Sequence, residues 1–277
     1  MITGPGVFSD LDEAEYHSDP VAEGSLSVSG AKLILKSPAH YAWEREHRTE
    51  KRAFDFGHAA HAMVLGIGSP IVAIQKTAKD GTVSEATDLR TVSSQEHQKA
   101  IRDTGSVPLL RTEIEQAQAM AAAVLQHPVA ALLFRDGEAE KSMFWRDDDT
   151  KVMLRGRLDW LTKLPNGRPV IVDYKTTAQS ADPNEFRWEA RNRRYHMQDR
   201  WYVEGMTALG LDEPAFLFVV QEKSPPFLVS VIELHDDVRE DGTAKNIAAR
   251  QTYLDCRTRD EWPGYPAHVH GISWPTY

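Results

Sequence analysis

Hydrophobic and polar residues alternate with a period of two over three consecutive segments in the middle of the chain. Such alternation is typical of β-strands, because successive side chains point to opposite faces of a sheet. Turn-forming residues separate the segments, Asp-Asp-Asp-Thr first and Pro-Asn-Gly-Arg second. The predicted strands are residues 141–146, 151–164 and 169–176.

The pattern after the third strand changes to helical periodicity, and it predicts one long helix over residues 183–209. Two further strands are predicted at 215–221 and 227–234, and a last helix at 236–257. This order of elements predicts an α/β fold with a mixed central sheet. The sheet is expected to be antiparallel through its first three strands and to be flanked by helices.

The first half of the chain is predicted to be mostly helical. Ser27 or Ser29 can cap a short helix, and an apolar helix ends at Gly66. The acidic residues 1–24 are expected to form a flexible or loosely docked tail, and residues 25–277 are predicted to form one domain. The predicted helices here are 31–36, 40–47, 54–66, 94–103 and 111–126, with a short strand at 71–75.

Composition limits the classes of function. The 277 residues include 32 Lys and Arg against 41 Asp and Glu, a formal net charge of −9, so bulk charge cannot hold a polyanion. Cys256 is the sole cysteine, which excludes internal disulfides and any iron–sulfur cluster held by the chain's own thiolates. No segment approaches the ~20 apolar residues of a membrane span, and no signal peptide is visible. A soluble cytoplasmic protein without membrane partners is expected.

Chemistry-bearing residues lie on two of the predicted strands. Asp159 interrupts the apolar alternation of one strand, and Asp173 and Lys175 lie two residues apart on the next. A spacing of two places Asp173 and Lys175 on one face, and hairpin pairing can bring Asp159 beside them. Two adjacent carboxylates repel each other unless a cation joins them. Oxygen ligands of this kind suit Mg²⁺, with Mn²⁺ able to substitute.

The same segment suggests phosphodiester hydrolysis. The backbone carbonyl of Tyr174 is a further candidate ligand, and Lys175 can orient or help to deprotonate an attacking water and offset negative charge in the transition state. The residues alone leave an alternative open, in which Asp159 and Asp173 merely pair with Lys175 and Arg157 in a buried ion network.

Other candidate site residues lie on predicted helices. Gln198 and Tyr202 are four residues apart and share one helical face. His61, on the apolar helix, is a candidate metal ligand or phosphate contact, and a hydrogen-bonded core histidine is the alternative. Glu140 is either an accessory carboxylate or a charge at a strand edge.

Several short motifs follow one another along the chain. They are Ser29-Gly30-Ala31, Ser37-Pro38-Ala39-His40-Tyr41, Phe56-Gly57-His58-Ala59-Ala60-His61 with Leu65, Gly156-Arg157-Leu158-Asp159, Val172-Asp173-Tyr174-Lys175-Thr176-Thr177, Tyr195-His196-Met197-Gln198 with Tyr202, Trp262-Pro263-Gly264-Tyr265 and Trp274-Pro275. In these motifs and in their order, the chain from Leu26 to the C-terminus resembles the RecB-like branch of the PD-(D/E)XK nuclease superfamily, and within it the RecE-like (exodeoxyribonuclease VIII) nuclease domains.

The resemblance implies a restriction-endonuclease-like core with extra N-terminal helices, and it implies roles for particular residues. His61, Asp159 and Asp173 would bind the catalytic metals, and Lys175 would serve the nucleophilic water. Gln198 and Tyr202 would support the site or contact the DNA backbone. The family's spacing from Gly57 selects His61 rather than the neighbouring His58.

The resemblance also implies an activity and partners. The expected enzyme is a Mg²⁺-dependent exonuclease that degrades the 5′ strand of linear double-stranded DNA and leaves 3′ single strand for recombination. A ring-shaped homo-oligomer, an annealing partner of the RecT type and a phage or prophage origin are expected with it. Two alternatives stay open: a structure-specific or single-strand endonuclease on the same site, and a catalytically inactive DNA-binding scaffold.

Arginines supply candidate DNA contacts in this acidic chain. They cluster at the start of the predicted long helix and immediately before Asp159, where guanidinium groups can contact successive phosphates. A solvated helix face is the alternative for any one of them. The candidate DNA-binding residues are Arg157, Arg187, Arg191, Arg193 and Arg194.

Overall fold

The computed structural model describes residues 1–47 and 52–273. Its strands are β1 (Gly6–Phe8), β2 (Leu26–Ser27), β3 (Ile71–Ala73), β4 (Gln75–Thr77), β5 (Val83–Glu85), β6 (Val107–Leu109), β7 (Gly137–Arg146), β8 (Met153–Lys163), β9 (Pro169–Thr177), β10 (Ala215–Glu222) and β11 (Val229–Ile232). Its helices are α1 (Glu13–His17), α2 (Val28–Lys36), α3 (Pro38–Glu46), α4 (Arg52–Leu65), α5 (Val92–Asp103), α6 (Arg111–Gln126), α7 (Pro128–Leu133), α8 (Pro183–Asn192), α9 (Tyr195–Ala208) and α10 (Asp236–Arg259).

In the described part of the chain, seven strands form a mixed central sheet in the order β1-β7-β8-β9-β10-β11, with β2 pairing alongside β8. Strands β7, β8 and β9 are antiparallel neighbours, as the turns between them predict. Strand β10 returns parallel to β9 after the crossover through α8 and α9, and β11 is antiparallel to β10. The predicted α/β fold with a mixed sheet is therefore confirmed.

Helices cover both faces of this sheet. One face packs against α2, α9 and α10, and the other packs against α4, α6 and α7. Strand β10 shows the alternation clearly, because Phe216 and Phe218 join the first cluster while Ala215 and Val219 join the second. A strand buried on both faces has little room for charge. The charged residues on β9 therefore require a specific local explanation.

The first 24 residues differ from the flexible tail that their composition predicts. Strand β1 pairs antiparallel with β7, and Asp12 caps α1 by accepting a hydrogen bond from the Ala14 N–H at 2.8 Å. Tyr16 is buried, and its ring contacts Phe144 edge to face at 6.1 Å between centroids. These elements are three and five residues long, so they form because the sheet edge and the Phe144 side chain are available to them.

The predicted helix 183–209 is divided into α8 and α9. Arg194 lies between them with φ of 53°, in the left-handed region, which turns the chain before Tyr195. Stacking of Phe186 on Tyr195, at 5.9 Å between centroids, fixes the corner. Helical periodicity continues across the break because both helices bury the same side, so the sequence pattern gives no sign of it.

The other predicted elements are present within a few residues of their predicted bounds. Near the C-terminus, Trp262 stacks on Tyr41 at 5.3 Å between centroids, while the predicted Trp274–Pro275 motif lies outside the described residues. None of the helices in residues 1–47 and 52–273 has the length and hydropathy needed to cross a bilayer.

Candidate active site

The central sheet is distorted where Asp159 lies. The pairing of β7 with β8 is continuous except at one position, between the pairs Ala139↔Trp160 and Lys141↔Leu158. Glu140, opposite the gap, has φ of 53°. Leu158 packs on the α9 face and Trp160 on the α7 face, although they are two residues apart. The alternation of side chains between the two faces therefore breaks at Asp159, whose side chain belongs to neither of the two hydrophobic clusters.

The Asp159 carboxylate contacts the neighbouring strand instead. Its Oδ2 accepts a hydrogen bond from the Tyr174 N–H at 3.0 Å, beyond the last ladder pair between β8 and β9. The N–H and C=O of one strand residue point to the same side, so the Tyr174 carbonyl also faces this gap. His61 of α4 completes the group, with its Nδ1 3.6 Å from Asp159 Oδ2.

Asp173 and Lys175 lie together on β9, as their spacing predicts. Asp173 Oδ2 is 2.6 Å from Lys175 Nζ, and Asp173 Oδ1 accepts a hydrogen bond from Gln198 Nε2 at 2.6 Å. The Asp173 side chain is only 1% exposed. The predicted Asp173, Lys175 and Gln198 therefore form one connected polar cluster.

Burial shifts the protonation equilibria of this cluster. It raises the pKa of Asp173 to about 6 and also raises the pKa of Asp159, against the opposing charge of Lys175. Burial disfavours the Lys175 ammonium, but the carboxylates of Asp173 and Asp159 outweigh it and raise the pKa of Lys175 above its ordinary value. Burial, together with the charge of Lys175, lowers the pKa of His61 to about 4. At neutral pH, Lys175 is therefore a cation and His61 a neutral imidazole.

A cleft of about 530 Å³ opens onto these groups. The predicted residues His61, Asp159, Tyr174, Lys175 and Tyr202 line it, whereas Asp173 and Gln198 lie beneath its surface. The cleft is also lined by residues outside the predicted site, namely Glu13, Tyr16 and His17 of α1, Ser27 to Ser29, His58, Glu140, Arg155 and Tyr195. The N-terminal segment thus forms part of the wall of the candidate site.

Tyr202 depends on a glycine for its position. It lies one helical turn after Gln198 on α9, and burial raises its pKa well above the ordinary value. A Cβ atom on Gly156 would lie 2.8 Å from Tyr202 Cε1, closer than real contacts allow. The glycine that begins the Gly156-Arg157-Leu158-Asp159 motif therefore makes room for the tyrosine ring.

We expect the substitution Gly156→Ala to destabilise the protein by about 1–3 kcal/mol, the usual cost of overpacking. Urea denaturation measures this change in the free energy of unfolding. Gly57→Ala is the control, because a Cβ there meets nothing within 4 Å and alanine favours the helix. Equal stability of the two variants would contradict the packing role of Gly156.

The guanidinium of Arg157 forms hydrogen bonds with other residues of the protein. Its guanidinium donates to Glu140 Oε2 at 2.7 Å, to the Leu11 carbonyl at 2.8 Å and to Ser142 Oγ at 2.8 Å. Arg157 still borders the cleft, so its predicted contact with DNA stays a prediction. Glu140, whose two alternative roles the sequence leaves open, is a partner of Arg157 on the cleft wall.

The other predicted DNA-binding arginines lie away from this cleft. Arg187, Arg191 and Arg194 line a separate groove beside α8, and the exposed Arg193 pairs with the largely buried Glu189 at 2.7 Å. None of these four arginines lines the cleft that Asp159 and Lys175 border.

Two residues next to the predicted lysine are not among the predicted site residues, although one of them, Tyr195, belongs to a motif that carries the resemblance. Lys175 Nζ lies 5.2 Å from the centroid of the Tyr195 ring, and Lys32 Nζ lies 5.4 Å from the same centroid. Burial, followed by the charge of Lys175, lowers the pKa of Lys32 to about 7. A lysine on the short helix α2 gives no sequence signal of this contact, which depends on the turn at Arg194.

The ligand types present fit a hard divalent cation. They are the carboxylates of Asp159 and Asp173, the carbonyl of Tyr174 and the neutral imidazole of His61. Asp173 Oδ2 is buried and accepts no hydrogen bond of favourable geometry from the described residues, although Lys175 Nζ is close to it. Among those residues, however, no three His, Cys, Asp or Glu side chains are spaced closely enough to hold an ion as they stand.

Comparison with known proteins identifies the family and the fold of the chain. Residues 27–272 match a family model described as a PDDEXK-like domain of unknown function, DUF3799. A crystal structure from Eubacterium rectale, described as a "putative exonuclease", superposes with a TM-score of 0.55 at 12% identity over 97% of this chain and 96% of that one. That likeness shows a shared fold.

Two other solved structures are more distant. SSO0001 has a TM-score of 0.28 at 13% identity over 78% of this chain and 84% of its own. Rai1 of Scheffersomyces stipitis has a TM-score of 0.28 at 10% identity over 91% of this chain and 74% of its own. No curated protein is detectably similar to the chain in sequence.

Proposed function

The chain belongs to the PDDEXK-like domain family matched over residues 27–272, and on that basis we propose that it is a divalent-metal-dependent exodeoxyribonuclease. The observation that carries the proposal is that Asp159 and Lys175 border a cleft of about 530 Å³ at a break in the sheet, with the buried Asp173 carboxylate 2.6 Å from Lys175 Nζ. A buried network whose only role was structural would not need a cleft beside it.

In the proposed mechanism, Asp159, Asp173, the Tyr174 carbonyl and His61 would hold the metal ion. A divalent ion held there would supply Lewis-acid polarisation of the phosphate and would lower the pKa of a nearby water. Lys175 holds a positive charge beside the reacting phosphate and orients the attacking water. Gln198 fixes the Asp173 carboxylate by its hydrogen bond, and Tyr202 lies on the cleft wall, where it can contact the DNA backbone.

The finer parts of the proposal rest on the motif resemblance. The substrate is linear double-stranded DNA, from which the 5′ strand is degraded to leave 3′ single strand for recombination, with Mg²⁺ as the ion and Mn²⁺ able to replace it. A ring-shaped homo-oligomer, an annealing partner of the RecT type and a phage or prophage origin belong to the same proposal. Arg157, Arg187, Arg191, Arg193 and Arg194 are its proposed DNA contacts.

Digestion of linear duplex DNA labelled separately at its 5′ and 3′ ends tests the activity. We expect early release of the 5′ label in Mg²⁺ and no release in the presence of a chelator. Cleavage that continues in chelator would exclude the metal mechanism, and early release of the 3′ label alone would reverse the proposed polarity.

Closed-circular plasmid is the companion substrate. An exonuclease leaves it intact because it has no ends, whereas nicking or linearisation would identify an endonuclease on the same site. A wild type that is inert with Mg²⁺ and Mn²⁺ on every DNA form, yet still binds DNA, would identify a scaffold.

A further inference from the structure

A second concave surface lies outside the candidate active site. Its volume is about 940 Å³, larger than the catalytic cleft, and it lies between α8, the first turn of α9 and the first turns of α10. We call it the α8–α10 groove. Its lining residues are Arg187, Trp188, Ala190, Arg191, Asn192, Arg194, His196, Leu234, Asp237, Val238, Asp241 and Lys245.

The floor of the groove is tightly packed. A Cβ atom on Gly242 would lie 2.3 Å from the His196 carbonyl oxygen, so only glycine lets α10 approach α9 this closely. Asn246 Nδ2 donates to the Met197 carbonyl at 3.0 Å across the same contact. The α8–α10 groove is therefore a feature of rigid helices rather than of a loop.

The groove is basic in an acidic protein. Four of its side chains are Lys or Arg and two are Asp, in a chain whose formal charge is −9. One of the acidic residues is already engaged, because Asp241 pairs with Lys245 and has an oxygen 3.2 Å from the Nε2 of the buried His196. The excess of arginine favours an anionic ligand.

An aromatic surface accompanies the positive charge. Trp188 is 52% exposed on the groove wall, and the Arg187 guanidinium lies 5.1 Å from the centroid of its ring. Val238 and Leu234 supply apolar surface nearby. A ligand that carries both phosphates and flat rings satisfies arginines and an exposed tryptophan together.

The groove is connected to the candidate active site. Arg194 lines it, and its guanidinium donates at 3.1 Å to the backbone carbonyl of Lys32. Lys32 and Lys175 both lie near the ring of Tyr195, the residue after Arg194. Lys32, Lys175 and Arg194 therefore lie close together between the candidate active site and the groove, and burial, followed by the charge of Lys175, lowers the pKa of Lys32.

We propose that the α8–α10 groove binds single-stranded DNA, with a base stacked on Trp188 and phosphates on Arg187 and Arg191. This inference rests on the proposed nucleic-acid substrate, and it adds a second binding site to the active-site cleft. Its occupant is one unpaired strand, since a stacked tryptophan requires a base face that a duplex keeps covered.

The test measures the affinity of a fluorescein-labelled oligothymidine by anisotropy, in chelator so that no cleavage occurs. We expect Trp188→Ala to weaken binding about tenfold, equivalent to about 1.4 kcal/mol. Trp43→Ala is the matched control, since Trp43 is 55% exposed and lies on α3 outside the groove. Equal affinities of the two variants would overturn the proposal.

Two further measurements identify the occupant. Arg187→Ala combined with Arg191→Ala should reduce the dependence of oligothymidine affinity on salt concentration, because fewer phosphates are neutralised. A polyglutamate peptide that displaces the oligothymidine as effectively as unlabelled oligothymidine would show a site for acidic protein segments and overturn the proposal.

The binding test of the α8–α10 groove and the test of the proposed nuclease function can fail independently of each other. In parallel, wild type is tested on end-labelled duplex with Mg²⁺. An inert wild type whose oligothymidine affinity depends on Trp188 would reject the nuclease proposal alone. An active wild type whose affinity is unchanged by Trp188→Ala would reject the groove alone.

Discussion

Replacing Asp173 by asparagine is expected to lower the rate of DNA cleavage by about 10³-fold, a loss typical of removing a preorganised charge from an active site. Asparagine has the same shape, and its carbonyl oxygen can still accept the hydrogen bond from Gln198. It carries no negative charge, so it neither attracts a cation nor pairs with Lys175. The chemistry is therefore lost while the shape of the cluster is kept.

Asp199→Asn provides the matched control for this substitution. Asp199 is also fully buried, and its Oδ2 accepts a hydrogen bond from Arg239 Nε at 3.0 Å, so both variants remove one buried ion pair. Breaking such a pair costs about 3–5 kcal/mol of stability in either place. A comparison of the two variants separates loss of a charge near the cleft from general loss of stability.

Cleavage of linear duplex is measured for both variants below their unfolding temperatures, in Mg²⁺ and again in Mn²⁺, with circular dichroism to verify folding. The Asp199→Asn enzyme should retain the wild-type rate. A folded Asp173→Asn enzyme that cleaves at the wild-type rate would show that Asp173 has no role in the reaction and that the cluster is a structural ion network.

The sequence predicts that Asp173 and Lys175 lie on the same face, because side chains two residues apart on a strand point to the same side of the sheet. The contact of Asp159 with the neighbouring strand depends on more than residue spacing. The direction of the Asp159 side chain follows from the break in alternation opposite Glu140. The positive φ of Glu140 cannot be predicted from the periodicity of the sequence. The sequence could indicate that hairpin pairing brings Asp159 near the site, but not that its carboxylate binds the Tyr174 N–H.

Contacts between distant parts of the chain account for the other differences. Arg157 stays a predicted DNA contact at the cleft, and the sequence does not show that its guanidinium also donates to the carbonyl of Leu11, 146 residues earlier. Tyr195 reaches Lys175 because Arg194 adopts a left-handed conformation, which is rare for a residue with a side chain. Such features depend on the assembled sheet, so local pattern can predict the elements but not these contacts.

The ordered N-terminal segment leads to the second large prediction. Tyr16 lies beneath two arginines of β8, with the Arg155 and Arg157 guanidinium carbons 5.6 and 5.8 Å from its ring centroid. Asp19 pairs with Arg155 at 2.7 Å on the same surface. The segment thereby covers two cations close to Asp159, and Tyr16 anchors it together with the buried side chains of Ile2 and Val21.

We expect Tyr16→Ala to lower the free energy of unfolding by about 3 kcal/mol, the usual cost of deleting a buried aromatic ring. Tyr16→Phe is the matched control, because it keeps the ring on Phe144 and the arginines, and it should cost less than about 1 kcal/mol. Urea denaturation of both variants gives the two values. If residues 1–24 were the flexible tail that their composition suggests, neither substitution would change the midpoint, because an unpacked ring contributes no burial. A large loss confined to Tyr16→Ala would instead establish that this segment is part of the folded cleft wall.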